Sequence, residues 1–414
     1  MYVVPDQSSV LVPRREGSYR PTNGSRWSPT IIGVALMTKS RLEHWCRAVL
    51  LASVTILSGV TLASSDEVNS RIDNLFASIT STSPGAAVMV VRGGHPIFQR
   101  GYGVTDLRSL HKIDEHTNFR LASVTKQFTA MAIMLLVHDG KLRYDQTLID
   151  IFPEFPAYGK TVTVRQLLNH TSGLLDYEDL MAKQYGAIPD DQIPQIRDAG
   201  VLQLLEKVSS TKFPPGTKWE YSNSGYCVLA MVVEKTSGEP FGKFLRHRIF
   251  VPLQMSNTVA FEKGKNEVRN RAYGHTLADG RWKETDQSST SATLGDGGVY
   301  TSIEDLVRWD AALRAHTLLN ESTMLPALTP VQPTGGPAKE DGRDVSYGFG
   351  WFLDPYHGHQ RMWHYGETVG FRTSIQRFPV DELTIVVLCN RVDLSAPDLA
   401  LKIADLYLKT GSLK

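Results

Sequence analysis

Residues 119–138 read FRLASVTKQFTAMAIMLLVH, and this stretch decides how the rest of the chain is read. Phe128, Met131, Ala132, Leu135 and Leu136 recur at helical spacing, which predicts a helix over Leu121–His138 with one buried apolar face. Asp139-Gly140 closes it, with Gly140 at the position that favours a left-handed residue. Ser123 and Lys126 stand three residues apart at its start, so they share one face. The start of a helix favours a developing negative charge. A lysine held by a buried helix is desolvated, which lowers its pKa and lets a neutral amine take a proton. Alone, Ser-x-x-Lys is a weak signal, since a capping serine beside a solvated lysine has the same spelling.

Two further stretches give it company. Tyr221-Ser222-Asn223 follows the turn Phe213-Pro214-Pro215-Gly216-Thr217. A phenol near an ammonium ionises more easily, so Tyr221 is a candidate proton relay, and Asn223 offers a donor and an acceptor to a substrate amide. Trp363-His364-Tyr365-Gly366 ends a predicted strand. His364 is a candidate donor to a substrate carboxylate or to Tyr221, and Gly366 permits close approach of a substrate backbone. The bland readings are a helix-entry turn capped by Asn223 and a surface histidine.

Around these motifs the chain alternates in character. A helix is predicted over Val68–Ile79, then strands Ala86–Arg92 and Pro96–Tyr102 joined by Gly93-Gly94. From about 161 to 289 short helical patterns (Val164–Asn169, Val201–Val208, Gly225–Ser237) alternate with Pro/Gly-rich loops and no clear strand pair. Strands return at Tyr347–Leu353, Arg361–Tyr365, Phe371–Phe378 and Leu383–Cys389, and a helix over Pro397–Lys409 follows. The pattern predicts an α+β fold: an antiparallel sheet flanked by helices, with a mostly helical insertion.

Composition narrows the function classes. Net charge is +1, but residues 1–63 carry +4 and the remainder −3. A near-neutral body has no electrostatic footprint for nucleic acid. Arg41 and Arg47 precede the uncharged apolar run Ala48–Ala63, with Thr61 and Ala63 at the −3 and −1 positions of a cleavage site. This is the layout of a secretory signal peptide, and the run is shorter than the roughly 20 residues of a membrane span. Residues 1–63 are therefore read as an extension plus leader and 64–414 as the working domain, exported to the periplasm or outside a bacterial cell. An uncleaved anchor is the alternative. Met37 is the better start of such a leader, with Lys39 and Arg41 as its basic region. Cys46 falls in the leader, and Cys227 and Cys389 sit in apolar runs as buried thiols, with a disulfide between them left open. No Gly-x-Ser-x-Gly, His-Glu-x-x-His, C-x-x-C or phosphate loop occurs, and no metal or cofactor is expected. His170 is read as a structural histidine fixing a turn rather than as a base.

Taken in order, Ser123-x-x-Lys126, Tyr221-x-Asn223 and His364-x-Gly366 resemble the signature of the serine β-lactamase and penicillin-binding-protein family: class C β-lactamases, D-alanyl-D-alanine carboxypeptidases and related esterases. Phe119–Lys126, Leu167–Leu174 (LLNHTSGL), Tyr221–Tyr226, Pro252–Met255 and Gly297–Ser302 with Asp305-Leu306 resemble further family segments. The resemblance spans about 68–409. It implies that Ser123 is acylated and that Lys126 and Tyr221 share the general-base task, in either assignment. It also implies that the backbone N–H groups of Ser123 and Glu367 form an oxyanion hole and that Asn223 holds the substrate amide. Two departures stand out. The third motif is His-Tyr-Gly rather than Lys-Thr-Gly, which offers less charge to a penicillin carboxylate. Glu367 follows it where a small residue is usual, and can narrow the site or repel an anion. The implied function is an exported acyl-enzyme hydrolase of a peptide, amide, ester or β-lactam bond, carboxypeptidase- or esterase-like, with a small-molecule or peptide substrate. The alternative is an inactive penicillin or peptidoglycan sensor on the same fold.

Overall fold

Strand β1, Ala86–Arg92, reads AAVMVVR and is buried at every position but the last. Such a run is what a strand covered on both faces requires, and its β-branched residues suit a pleated ladder. Gly93 and Gly94, at φ +59° and +83°, turn the chain back into β2, His95–Tyr102. Two consecutive left-handed residues fit the tightest hairpin. The computed structural model describes residues 65–408 other than 341, so the leader lies outside the described residues.

Three later strands complete the sheet: β3 (Met362–Thr368), β4 (Phe371–Phe378) and β5 (Leu383–Cys389). The order is β3-β4-β5-β1-β2, antiparallel throughout, with Ala86 opposite Cys389. The two-residue alternation of strands divides the core. Val88, Val90, Ile385 and Val387 face helices α1 (Ser65–Leu75) and α7 (Ala396–Ala404). Ala87, Met89, Val91, Val386 and Leu388 face the larger core built by α2 (Lys126–His138), α5 (Asn223–Ser237) and α6 (Ile303–Arg314). Between α2 and α5 run α3 (Tyr177–Tyr185) and α4 (Asp198–Glu206), helices of the inserted part. A small three-stranded sheet, Phe119–Arg120, Val299–Thr301 and Val259–Ala260, leads the chain into α2. This is the expected α+β architecture.

Several boundaries differ from expectation for local reasons. Within 161–289, read as free of strand pairs, His275–Ala278 and Arg281–Glu284 form a hairpin. Tyr347–Leu353, expected as a strand, makes isolated bridges alone, because the chain turns at Gly350 (φ +76°). A Cβ at Gly350 would lie 2.8 Å from the Lys126 carbonyl oxygen, so the turn rests directly on the start of α2. The His-Tyr-Gly motif lies inside β3, which runs on to Thr368, and not at a strand end. The cap of α5 is Ser222, whose hydroxyl accepts from the Gly225 N–H, while Asn223 is the first residue of the helix. Cys227 and Cys389 are both buried free thiols.

Candidate active site

Strand residues Phe119–Arg120 end at a turn in which Ala122 has φ +48°, uncommon for any residue with a side chain. Such a conformation costs about 1–3 kcal/mol and persists where the surroundings enforce it. Here Leu121 N–H donates to Val299 O, and the Val299 N–H donates to Thr125 Oγ1. The result is a 3₁₀ turn, Ala122–Thr125, which passes into α2 at Lys126. Residues three apart are nearly eclipsed in a 3₁₀ turn, which brings Ser123 and Lys126 together.

Lys126 Nζ is the centre of the site. It lies 2.9 Å from Ser123 Oγ, 2.9 Å from Asn223 Oδ1 and 2.9 Å from the Asp296 main-chain oxygen. Three acceptors match the three protons of an ammonium. The side chain is fully buried, and desolvation pushes its pKa down to about 8, against the opposing pull of the Asp296 charge. The Tyr221 ring lies 4.9 Å from Nζ. Ser123, Lys126, Tyr221 and Asn223, nearly 100 residues apart in sequence, therefore form one cluster. With Oδ1 taken by the lysine, Nδ2 is the donor that Asn223 can offer a substrate carbonyl.

Gly366 joins the sheet to this cluster. A Cβ there would fall 2.1 Å from the Leu121 oxygen and 3.0 Å from the Ser123 nitrogen. Thr373, across the ladder from Gly366, donates its hydroxyl to the same Leu121 oxygen. The edge strand thus presses its backbone against the turn that carries Ser123, with Glu367 next along it. The Glu367 side chain is exposed and pairs loosely with Arg372, at 3.8 Å.

His364 is placed otherwise than as a wall of the site. It is 0% exposed; its Nδ1 is 2.7 Å from the Tyr365 carbonyl and its Nε2 is 3.2 Å from the Tyr347 hydroxyl. Burial, with the Lys126 charge nearby, pushes its pKa down to about 3. The ring is neutral: Nδ1–H donates to the carbonyl, and Nε2 accepts from Tyr347. As a direct donor to a substrate carboxylate it has neither charge nor access. Its ring centroid is 6.2 Å from that of Tyr221, so it backs the phenol.

Three residues escaped the sequence reading, Asp296 with its support Asp198, and Tyr347. Asp296 touches Lys126 through its carbonyl, a contact that side-chain chemistry does not announce. Its carboxylate accepts from Tyr177 Oη at 3.3 Å, while Oδ1 is buried without a hydrogen-bond partner among the described residues. Asp198, buried at the head of α4, accepts the N–H groups of Leu294 and Gly295 and so fixes the loop that presents the Asp296 oxygen. Burial beside Asp296 pushes the Asp198 carboxyl up to about 7. The third residue is Tyr347, which joins His364 to the Tyr221 surroundings. The expected strand around it gave no hint of that role.

The family model described as Beta-lactamase matches residues 72–408. Penicillin-binding protein 4* of Bacillus subtilis is 30% identical over 317 residues, which make 73% of this chain and 67% of that protein. The D-aminopeptidase of Brucella anthropi is 28% identical over 340 residues, 80% of this chain, and the match spans 60% of that relative's length. Among solved structures, the penicillin binding protein from Bacillus halodurans superposes with a TM-score of 0.68 at 27% identity, covering 82% of this chain and 99% of that one.

Proposed function

The chain belongs to the Beta-lactamase family of serine hydrolases, and from that premise we propose that it is an exported acyl-enzyme hydrolase cleaving a peptide, amide or ester bond at Ser123. The observation that carries this reading is the 2.9 Å contact between Ser123 Oγ and a fully buried Lys126 Nζ. A lysine that served only as a surface cation would not be placed there at the expense of its hydration.

The proton inventory defines the reactive state. Lys126 and Tyr221 as ammonium and phenol are saturated, so neither can take the serine proton. When the pair has lost one proton, from either atom, it accepts the proton of Ser123 as Oγ attacks the carbonyl carbon. The carbonyl oxygen becomes an oxyanion between the N–H groups of Ser123 and Glu367, a type of contact worth about 3–4 kcal/mol of barrier. Collapse expels the leaving amine or alcohol, which takes the proton from the pair. Water then attacks the acyl-serine and gives a proton to the pair; collapse frees the acid as Ser123 Oγ leaves and takes that proton back, which returns the pair to its one-proton-short state.

Features of the motif region favour an amide or ester over an anionic penicillin. His364 is neutral and buried where a lysine is usual, and Glu367 adds a negative charge beside the oxyanion strand. The D-aminopeptidase relative is in keeping with an amide substrate. Export rests on the leader pattern in residues 1–63. The test is mass spectrometry after incubation with a fluorophosphonate and, separately, a penicillin, with Ser123→Ala as control. An adduct on Ser123, absent in the variant, is expected, and penicillin should leave a lasting adduct or none. Rapid hydrolysis of penicillin would move the assignment to β-lactamase. No adduct from either reagent on folded protein would move it to a binding protein.

A further inference from the structure

His170 lies at the end of the LLNH segment, in a conformation (φ +61°) that few residues with a side chain tolerate and that histidine, asparagine and aspartate adopt most readily. It is 0% exposed. Its main-chain oxygen accepts the Glu220 N–H at 2.9 Å, and its ring Nδ1 accepts the Ser222 N–H at 3.1 Å. One residue thus grips the backbone on both sides of Tyr221. The ring also lies against the phenol, with centroids 4.4 Å apart at 35°. Because Nδ1 accepts, the ring proton is on Nε2, which is buried and finds no hydrogen-bond acceptor among the described residues. A ring in that tautomer has no lone pair left for a substrate proton. Protonating it would break the bond to Ser222, and burial holds it neutral.

We infer that His170 is the positioning residue for Tyr221: a two-point backbone clamp that aims the phenol at the Ser123–Lys126 pair. The inference rests on the acyl-enzyme reading above. Asparagine carries its Oδ1 at the same bond distance from Cβ as the Nδ1 of histidine, and it tolerates the left-handed backbone. Phenylalanine keeps the ring but has no acceptor. A clamp and a packing role therefore predict opposite rankings of these two variants.

The experiment measures the saturation kinetics of fluorophosphonate labelling at Ser123 for wild type, His170→Asn, His170→Phe and each of these combined with Tyr221→Phe, with melting temperatures taken in parallel. Misplacement of a catalytic group by about 1 Å costs about 10²-fold. His170→Phe should lose about that much in the maximal labelling rate, with little change in half-saturating probe. His170→Asn should recover most of it. In the Tyr221→Phe background neither change should slow labelling further, because residues acting through one group are non-additive. If His170→Phe labels as fast as wild type, or faster than His170→Asn, the clamp is overturned. The same holds if its loss persists in the Tyr221→Phe background. Should His170→Phe not fold, His170→Asn decides: within about threefold of wild type supports the clamp, and a 10²-fold loss in folded protein overturns it. An unlabelled wild type would instead sink the acyl-enzyme reading, and the clamp with it.

Discussion

Replacing Lys126 by methionine tests the central electrostatic claim through stability rather than activity. The lysine is fully buried, and desolvation brings its pKa from 10.5 down to about 8. At about 1.4 kcal/mol per pKa unit, the buried ammonium opposes folding by roughly 3 kcal/mol at pH 7. The unfolded chain keeps its proton up to about 10.5, whereas the folded one yields it from about 8. Between those values the unfolded state binds more protons, so stability rises with pH. Methionine has no such proton, and the other titrating groups are common to both proteins. The variant also leaves Asn223 Oδ1 and the Asp296 oxygen without their donor, which offsets part of the gain at neutral pH. The clean quantity is therefore the difference between the two proteins, followed with pH. Urea unfolding at pH 7 and pH 10.5 should show wild type gaining roughly 3 kcal/mol on Lys126→Met over that interval. Parallel curves would falsify the claim that the lysine carries its proton in a dry site.

Further expectations follow from the same geometry. Labelling of Ser123 should quicken as pH rises to about 8, where Lys126 loses its proton; a rate flat from pH 6 to 9 would refute the one-proton-short pair. Asp296→Asn removes the leading charge that holds the proton on Lys126, so this acid limb should move to lower pH, and an unmoved limb would show that the carboxylate has no hold on the lysine. Gly366→Ala places a methyl 2.1 Å from the Leu121 oxygen, so a loss of about 10²-fold in labelling with a stability loss of about 1–3 kcal/mol is expected; wild-type labelling would mean that the edge strand does not press on the nucleophile turn.

Much of this site was legible as side-chain chemistry at fixed spacing. Ser123 and Lys126 three apart follow from the period of a helix, and Gly366 from the need for a missing Cβ; the single apolar face expected of α2 did not hold, since every residue from Lys126 to Leu136 is buried. What was not legible came from the backbone or from distant packing. No propensity gives Ala122 a positive φ; neighbouring strands impose it. Asp296 enters through its carbonyl, which every residue possesses. His364 lies in a motif that suggested access, and its burial is set by Tyr347 and its neighbours, which read as a strand and instead form a turn at Gly350. Likewise His170 was readable as a turn residue, but the backbone groups that it accepts from belong to a segment about 50 residues on.

The pairing of β1 with β5 also bears on how the molecule comes into being. Ala86 faces Cys389 across the ladder, so β1, an inner strand, finds one of its partners only after about 300 more residues have been made. Contacts of such long range slow folding, since loop closure precedes any gain from the ladder. Until β3 and β5 arrive, the turn and helix that carry Ser123 and Lys126 have only the β1–β2 hairpin of the sheet and no Gly366 backbone against the turn. On the proposed reading, a nascent chain without β3 lacks the Gly366 backbone against the Ser123 turn, so reactivity at Ser123 should arise only once the edge strand is in place.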